Sequence, residues 1–396
     1  MNFKNSAACG LLALLLTIAG CGGGGSGGGI GGTGSASVGT LRLAITDAPA
    51  CGYDAVNITI DRIRVNQSAS AADADSGWSE IVLTPAKRVD LLSLSNGVLA
   101  ELGQTSLPAG KYTQLRLVLT PNSATTPLAN SVVPTGGSET ALTTPSATES
   151  GLKLNTNIDV PADQIADFVL DFDACKSIVK RGNSGQYNLK PVISVIPRLS
   201  DAGMRVVGYL DPTLPAATTN VSLQLAGVPV KATPPDATGQ FVLYPVPAGT
   251  YDLVISAAGR VTAVMTGVPV TTSAYTYVNA PATPIAPAAA ASAPRSVAGT
   301  VAPATASVRA LQLLNGGPTI EAAFAPVDAT SGAFTFSLPV DAPRRAAYAA
   351  GVGAPAFTAD PTAAAKYTIE AKSAGAVKTQ AIDASAAVPA LSFTFP

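Results

Sequence analysis

Val56-Asn-Ile-Thr-Ile-Asp-Arg-Ile-Arg-Val65 alternates apolar and polar side chains, with Val56, Ile58 and Ile60 on one side of the pleat. Successive side chains of a strand point to opposite faces, so a period of two marks a half-buried β-strand. The apolar positions then change parity to Ile63 and Val65 without a break, which predicts a β-bulge near Asp61 and Arg62. The same alternation recurs at Leu41, Leu43 and Ile45, where Asp47-Ala-Pro49 ends the strand. It returns at Leu115, Leu117 and Leu119, after a Pro108-Ala-Gly110 turn. Further strands are predicted at 80–83, 151–154, 165–173 and 192–197. Residues 121–150 are punctuated by Ser, Thr, Pro and Gly and read as loop with one or two short strands. A single helical turn is expected at 174–179. The fold class is all-β.

Composition narrows the chemistry. The 396 residues suffice for two to four domains, charged residues make up 12%, and the net charge is −1. Such a chain has no electrostatic footprint for nucleic acid. Histidine is absent. That excludes Ser-His-Asp and Cys-His catalysis and every His-ligated metal site. A catalyst here is confined to carboxylates, lysine or a bare thiol, so the expectation is a protein that is not an enzyme and has no cofactor.

The N-terminus decides location. Leu16-Thr-Ile-Ala-Gly-Cys21 closes a short apolar segment behind Lys4 and resembles a bacterial lipobox. The segment is too short to span a hydrocarbon core of ~30 Å. The resemblance implies cleavage before Cys21, acylation of its thiol (palmitate among the chains) and a membrane anchor; two or three chains hold firmly where one does not. The alternative is an ordinary secretory signal with a chance cysteine. Gly22 lacks the aspartate of an inner-membrane retention signal, which favours the outer membrane of a Gram-negative bacterium. The glycine-rich tether reaches about 20–25 Å, so the first domain sits near the membrane. Of the remaining cysteines Cys9 leaves with the signal, and Cys51 and Cys175 form an even pair for an oxidising compartment. A Cys51–Cys175 disulfide contributes about 4–5 kcal/mol on the chain-entropy model; a redox or metal role for two distant cysteines is the lesser alternative.

Leu43-Ala-Ile-Thr-Asp-Ala-Pro49, Leu107-Pro-Ala-Gly-Lys-Tyr112, Asp171-Phe-Asp-Ala-Cys-Lys-Ser-Ile178 and Tyr187-Asn-Leu-Lys-Pro191 together resemble the DUF4382 family, over about 40–198. The resemblance implies a β-rich module with no assigned activity. Thr238-Gly239-Gln-Phe241-Val-Leu243, followed by Pro247-Ala-Gly249-Thr-Tyr251-Asp-Leu253, resembles the carboxypeptidase regulatory-like domain, a transthyretin-like sandwich. There Gly239 allows a turn at positive φ while Phe241, Leu243 and Tyr251 face the core. Val297-Ala-Gly299 and Ser331-Gly332-Ala-Phe334-Thr-Phe336 echo Val206-Val-Gly208 and the Gly239 motif at offsets of 91 (208 to 299) and 93 (239 to 332). This marks a degenerate second copy. The organisation expected is signal peptide 1–20, tether 21–39, DUF4382-like β domain 40–199, sandwich 203–280, Ala/Pro linker 281–294 and second sandwich 295–396, strung as beads.

Candidate site residues are few. Asp171 and Asp173 lie two apart on one strand face and suit a shared Ca²⁺, with Asp159, Asp163 or Asp167 assisting. The competing reading is a solvated face, with Asp173 capping the turn before Cys175. Scattered Asp47, Glu80 and Asp90 give only a remote case for a His-free carboxylate hydrolase. The transthyretin-like sandwich resembles starch-binding modules, which stack sugars on aromatic faces. Tyr209 and Tyr244 are the named glycan contacts, with Tyr275 and Tyr277 also available and Tyr251 assigned to the core. The expected role is a non-catalytic, lipid-anchored envelope protein that acts as a structural or protein-interaction module. The alternative is a carbohydrate-binding accessory lipoprotein. The partners are accordingly the membrane and an envelope protein or polysaccharide.

Overall fold

Val38–Asp47 is the strand around which the first unit assembles, because Leu41, Leu43 and Ile45 are each fully buried. It pairs in parallel with Ile165–Phe172 and antiparallel with Ala100–Pro108, and Ile193–Pro197 closes this four-stranded sheet. The computed structural model describes residues 37–47, 52–145, 147–351 and 353–396. The lipobox with Cys21, residues 22–36 of the tether and Cys51 lie outside the described residues; Val38 and Gly39, the last of the expected tether, already belong to the first strand.

The opposing sheet of the first unit is centred on Tyr53–Asn66. Its register shifts between Ile60 and Arg62 against both neighbours, Ser79–Asp90 and Gly110–Leu119. The bulge is what lets Ile58, Ile60, Ile63 and Val65 all face the core despite their change of parity. Residues 121–150 contribute two short strands, Ser131–Pro134 and Thr140–Thr143. The helical turn is Ala174–Ser177, with Asp173 capping it by accepting a hydrogen bond from the Lys176 amide. The Ala100–Pro108 strand was not among the predicted ones. Its Leu102 bulges opposite Leu43 and Ala44, so Leu102 and Leu107, both buried, fall out of alternation.

The remaining chain forms two units of matching topology. In the first, Gln240–Leu243, Val206–Tyr209 and Thr276–Tyr277 form one sheet, and Val228–Thr233, Thr219–Leu225, Gly249–Ala257 and Ala263–Val270 the other. In the second, Ala333–Leu338, Arg295–Ala302 and Leu391–Thr394 face Thr319–Ala325, Ser307–Leu313, Lys366–Ser373 and Ala376–Asp383, with the same parallel and antiparallel pairings. Gly208 pairs with Phe241 and Gly299 with Phe334 at equivalent positions. At each glycine an added Cβ would meet the partner ring, at 2.3 Å and 2.5 Å, so the ring occupies the space a side chain would need. The chain is thus an all-β, multi-domain β-sandwich protein.

The units are not beads on a string. Ser37–Pro396 is one compact body. Arg344–Ala347 leaves the last unit to pair in parallel with Ala263–Val270 of the middle one, and Thr358–Ala359 extends that sheet. Residues 281–294 are not a free linker either: Ile285, almost fully buried, bridges Leu210, and Ala289 bridges Arg260. Val254 and Val264 of the middle unit share a small apolar core with Leu314, Ile320 and Ala363 of the last.

Candidate functional site at the junction of the three units

The Thr219–Leu225 strand explains how a polar site arises here. Val221 and Leu223 point into the middle unit's core, so Asn220, Ser222 and Gln224 face outward. That outward face is covered. Ser222 and Gln224 are buried, and Gln224 exchanges two hydrogen bonds with the backbone of Glu321, its Nε2 donating to the carbonyl at 3.0 Å and its Oε1 accepting from the amide at 2.7 Å. The helix Ala174–Ser177 of the first unit meets the same place. Lys176 Nζ is 2.8 Å from Glu321 Oε1 and 3.9 Å from Asp173 Oδ2, and lies over the Phe324 ring.

Between these elements is a cavity of ≈ 290 Å³ lined by all three units. Asp173, Lys176, Asn220, Glu321, Val254 and Phe324 carry its chemistry. On the outward face of the Thr219–Leu225 strand, Asn220 Oδ1 is buried and makes no hydrogen bond within the protein. Burial holds the Asp173 carboxyl above its ordinary range, with the nearby Lys176 opposing the shift.

A second buried polar cluster pins the first two units. Lys231 Nζ bonds Asp171 Oδ1, and both side chains are out of water. Nζ also lies 3.4 Å from the Asp47 carbonyl oxygen. Asp47 accepts from the Ala174 amide at 2.9 Å through Oδ1, while its buried Oδ2 makes no hydrogen bond. Burial raises the Asp47 pKa well above the usual carboxylate range. Asn96 reaches across to the Val242 amide at 2.5 Å and to the hydroxyl of Thr233 at 2.7 Å. The first and last units are joined by Gly182 N donating to Asp328 Oδ2 at 2.7 Å and Ala329 N to the Lys180 carbonyl at 2.9 Å.

Of the residues singled out from sequence, the fold brings Asp47, Asp171 and Asp173 together beside Lys231 and the Ala174–Ser177 helix, and disperses the others. Asp171 faces Lys231 rather than solvent, which corrects the solvated-face reading, while Asp173 does cap the helix. Asp167 is engaged by Arg198 at 2.8 Å and by Arg42. Among the described residues no three of His, Cys, Asp and Glu gather in a way that could hold a metal ion. Asp90 caps the turn Leu91–Leu94, and Glu80 pairs with Arg64 at 2.8 Å. Tyr244 is 2% exposed, its hydroxyl donating to Asp201 at 2.6 Å and its ring covered by Arg205, so no face is open to a sugar. Tyr209 is half-buried, and its hydroxyl accepts from Gln240 Nε2 at 3.0 Å. Tyr251 is in the core. Tyr275 and Tyr277, by contrast, are 39% and 46% exposed, with ring centroids 6.4 Å apart. Cys175 sits half-buried beside the cavity and is not free.

Of the junction residues, Asp47, Asp171 and Asp173 were singled out from sequence for other roles, whereas Lys176, Asn220, Lys231 and Glu321 were not. The only signal was that the outward positions of the Thr219–Leu225 strand are Asn, Ser and Gln, uncharged where a solvated face usually carries charge.

An all-β, multi-domain β-sandwich is the class these features define. Residues 38–191 match the family described as "Domain of unknown function (DUF4382)", so the first unit is a DUF4382 domain. No curated protein matches the chain. Among solved structures, it is similar to chains from two interface mutants of a type II cohesin–X-dockerin complex of Acetivibrio cellulolyticus. One is 30% identical over 21% of this chain and 56% of that chain, with a TM-score of 0.18. The other is 27% identical over 23% and 61%, with a TM-score of 0.19. The chain therefore spans less than two thirds of the length of either.

Proposed function

We propose that the protein is a non-catalytic envelope lipoprotein, anchored through acylated Cys21 and presenting a rigid three-unit module to a partner protein of the envelope. The observation that carries this reading is the set of polar contacts at the unit junctions, Lys231 with Asp171 above all. Buried charge contributes little net stability but penalises every arrangement that leaves it unpaired, so such contacts hold the units in one relative orientation. A spacer or interaction module needs that rigidity; a string of independent domains does not. The absence of histidine from the sequence is consistent with a protein that is not an enzyme. In this reading Cys51 and Cys175 form a disulfide, the middle and last units are transthyretin-like sandwiches, and the anchor lies in the outer membrane.

Metabolic labelling with palmitate tests the anchor. Label on the wild-type chain, lost in Cys21→Ser together with co-sedimentation with outer-membrane vesicles, is the expected result. An unlabelled, soluble wild-type chain contradicts it.

A second reading, polysaccharide binding, is favoured by one observation: the exposed Tyr275 and Tyr277 form the aromatic surface that Tyr209 and Tyr244 do not. Retention on a polysaccharide resin that disappears in Tyr277→Ala supports it, and no retention on starch, peptidoglycan or exopolysaccharide removes it.

A further inference from the structure

The cavity at the three-unit junction is built like a site for a small neutral ligand. Its charges are answered from within: Lys176 stands by both Asp173 and Glu321, and Arg309 Nη1 lies 3.5 Å from Glu321 Oε2. Arg309 is itself paired with Glu370 at 2.7 Å. An ionic ligand meets no unpaired partner here and has its own desolvation to overcome. What the lining does leave unanswered is hydrogen-bonding capacity at Asn220 Oδ1. That amide oxygen asks for a donor. Val254, Pro229 and the Phe324 ring supply apolar surface beside this group. Alternating hydroxyls and C–H surface is the chemistry of a sugar ring. The volume of ≈ 290 Å³ lies at the small end of ligand clefts (~300–1,000 Å³), the scale of one ring rather than a chain.

We propose that this cavity binds an uncharged polyol the size of a single sugar ring, with Asn220 as its hydrogen-bonding residue. Because the ligand contacts all three units, its binding also ties them together. The proposal stands apart from the structural reading and from the exposed tyrosine pair, which lies on the other sheet of the middle unit.

The test is titration calorimetry of the purified full chain with D-glucose, D-galactose, D-mannose and N-acetyl-D-glucosamine. D-Glucuronate and D-glucosamine serve as charged counterparts. At least one neutral sugar is expected to bind, more tightly than its charged counterpart. Its affinity is expected to fall by about tenfold or more in Asn220→Leu and in Asn220→Ala, and to be unchanged in Tyr277→Ala. Both cavity variants remove an oxygen that has no partner in the protein, so their melting temperatures should match the wild type; if Asn220→Leu fails to fold, Asn220→Ala decides. No binding by any neutral sugar overturns the proposal, as does preference for a charged one. Binding insensitive to the cavity variants but lost in Tyr277→Ala also overturns it, and assigns the sugar to the tyrosine pair.

Discussion

Lys231 and Asp171 form an ion pair across the boundary of the first two units, with side chains 1% and 9% exposed. Asp171 comes from the Ile165–Phe172 strand of the DUF4382 domain and Lys231 from the Val228–Thr233 strand of the middle sandwich. Among the described residues neither charge has another ion-pair partner, so each depends on the other domain being in place. Lys231→Ala leaves a buried carboxylate alone and should destabilise the chain by about 3–5 kcal/mol. The double variant Lys231→Met with Asp171→Leu should recover most of that loss, since an apolar pair incurs no charge desolvation. Urea denaturation of the three proteins checks both numbers.

Asp47 adds a pH dependence of definite sign. Its pKa is raised in the folded state by burial, so the folded chain holds the proton more tightly than the unfolded chain. The stability this proton confers is present below the unfolded pKa, about 4, and is lost as pH rises through the folded-state value. Asp47→Asn keeps the acceptor for the Ala174 amide and removes the ionisable oxygen. The variant is expected to be more stable than wild type at neutral and alkaline pH, by about 1–3 kcal/mol, and the gain to vanish near pH ~4. Melting curves across pH measure it.

The two repeats make a paired prediction. Alanine at Gly299 places its Cβ 2.7 Å from the Leu391 carbonyl oxygen as well as against the Phe334 ring, whereas at Gly208 the clashes are with the Phe241 and Val278 side chains. Side chains yield more readily than a paired backbone. Gly299→Ala should therefore lower stability more than Gly208→Ala, with overpacking of about 1–3 kcal/mol as the scale for each. Chemical denaturation ranks them.

Two turns of the same sequence form carry the same hydrogen bond. In Pro108-Ala-Gly-Lys-Tyr112 the tyrosine hydroxyl donates to the Pro108 carbonyl at 2.9 Å, and in Pro247-Ala-Gly-Thr-Tyr251 to the Pro247 carbonyl at 2.8 Å. Each ring is buried while its hydroxyl closes the turn. Tyr112→Phe and Tyr251→Phe should each lose about 1 kcal/mol, additively because the two turns lie in different units. A double-variant denaturation series checks the sum.

These examples show what the sequence made legible. The bulge at Asp61 was readable because parity within one strand is a local property. The Gly208–Phe241 and Gly299–Phe334 pairs were foreshadowed by the two glycine offsets, since a ring needs a residue without Cβ opposite it. The Ala100–Pro108 strand was hidden by its own bulge at Leu102, which breaks the alternation that marks a strand. The junctions were hidden for another reason. Lys231 in a polar position of a strand reads as a solvated charge, and Asn220, Ser222 and Gln224 read as an outer face. Only the packing of one unit on another buries them, and that packing has no period along the chain. The same holds for Arg344–Ala347, which is too short to announce that it joins the sheet of a different unit.

The central claim is that the three sandwiches act as one rigid module, and scanning calorimetry of the purified chain tests it most directly. The account predicts one cooperative unfolding transition, with calorimetric and van't Hoff enthalpies equal, that splits into separate transitions in Lys231→Ala. Two or three resolved transitions in the wild-type chain contradict it, because independent domains melt independently.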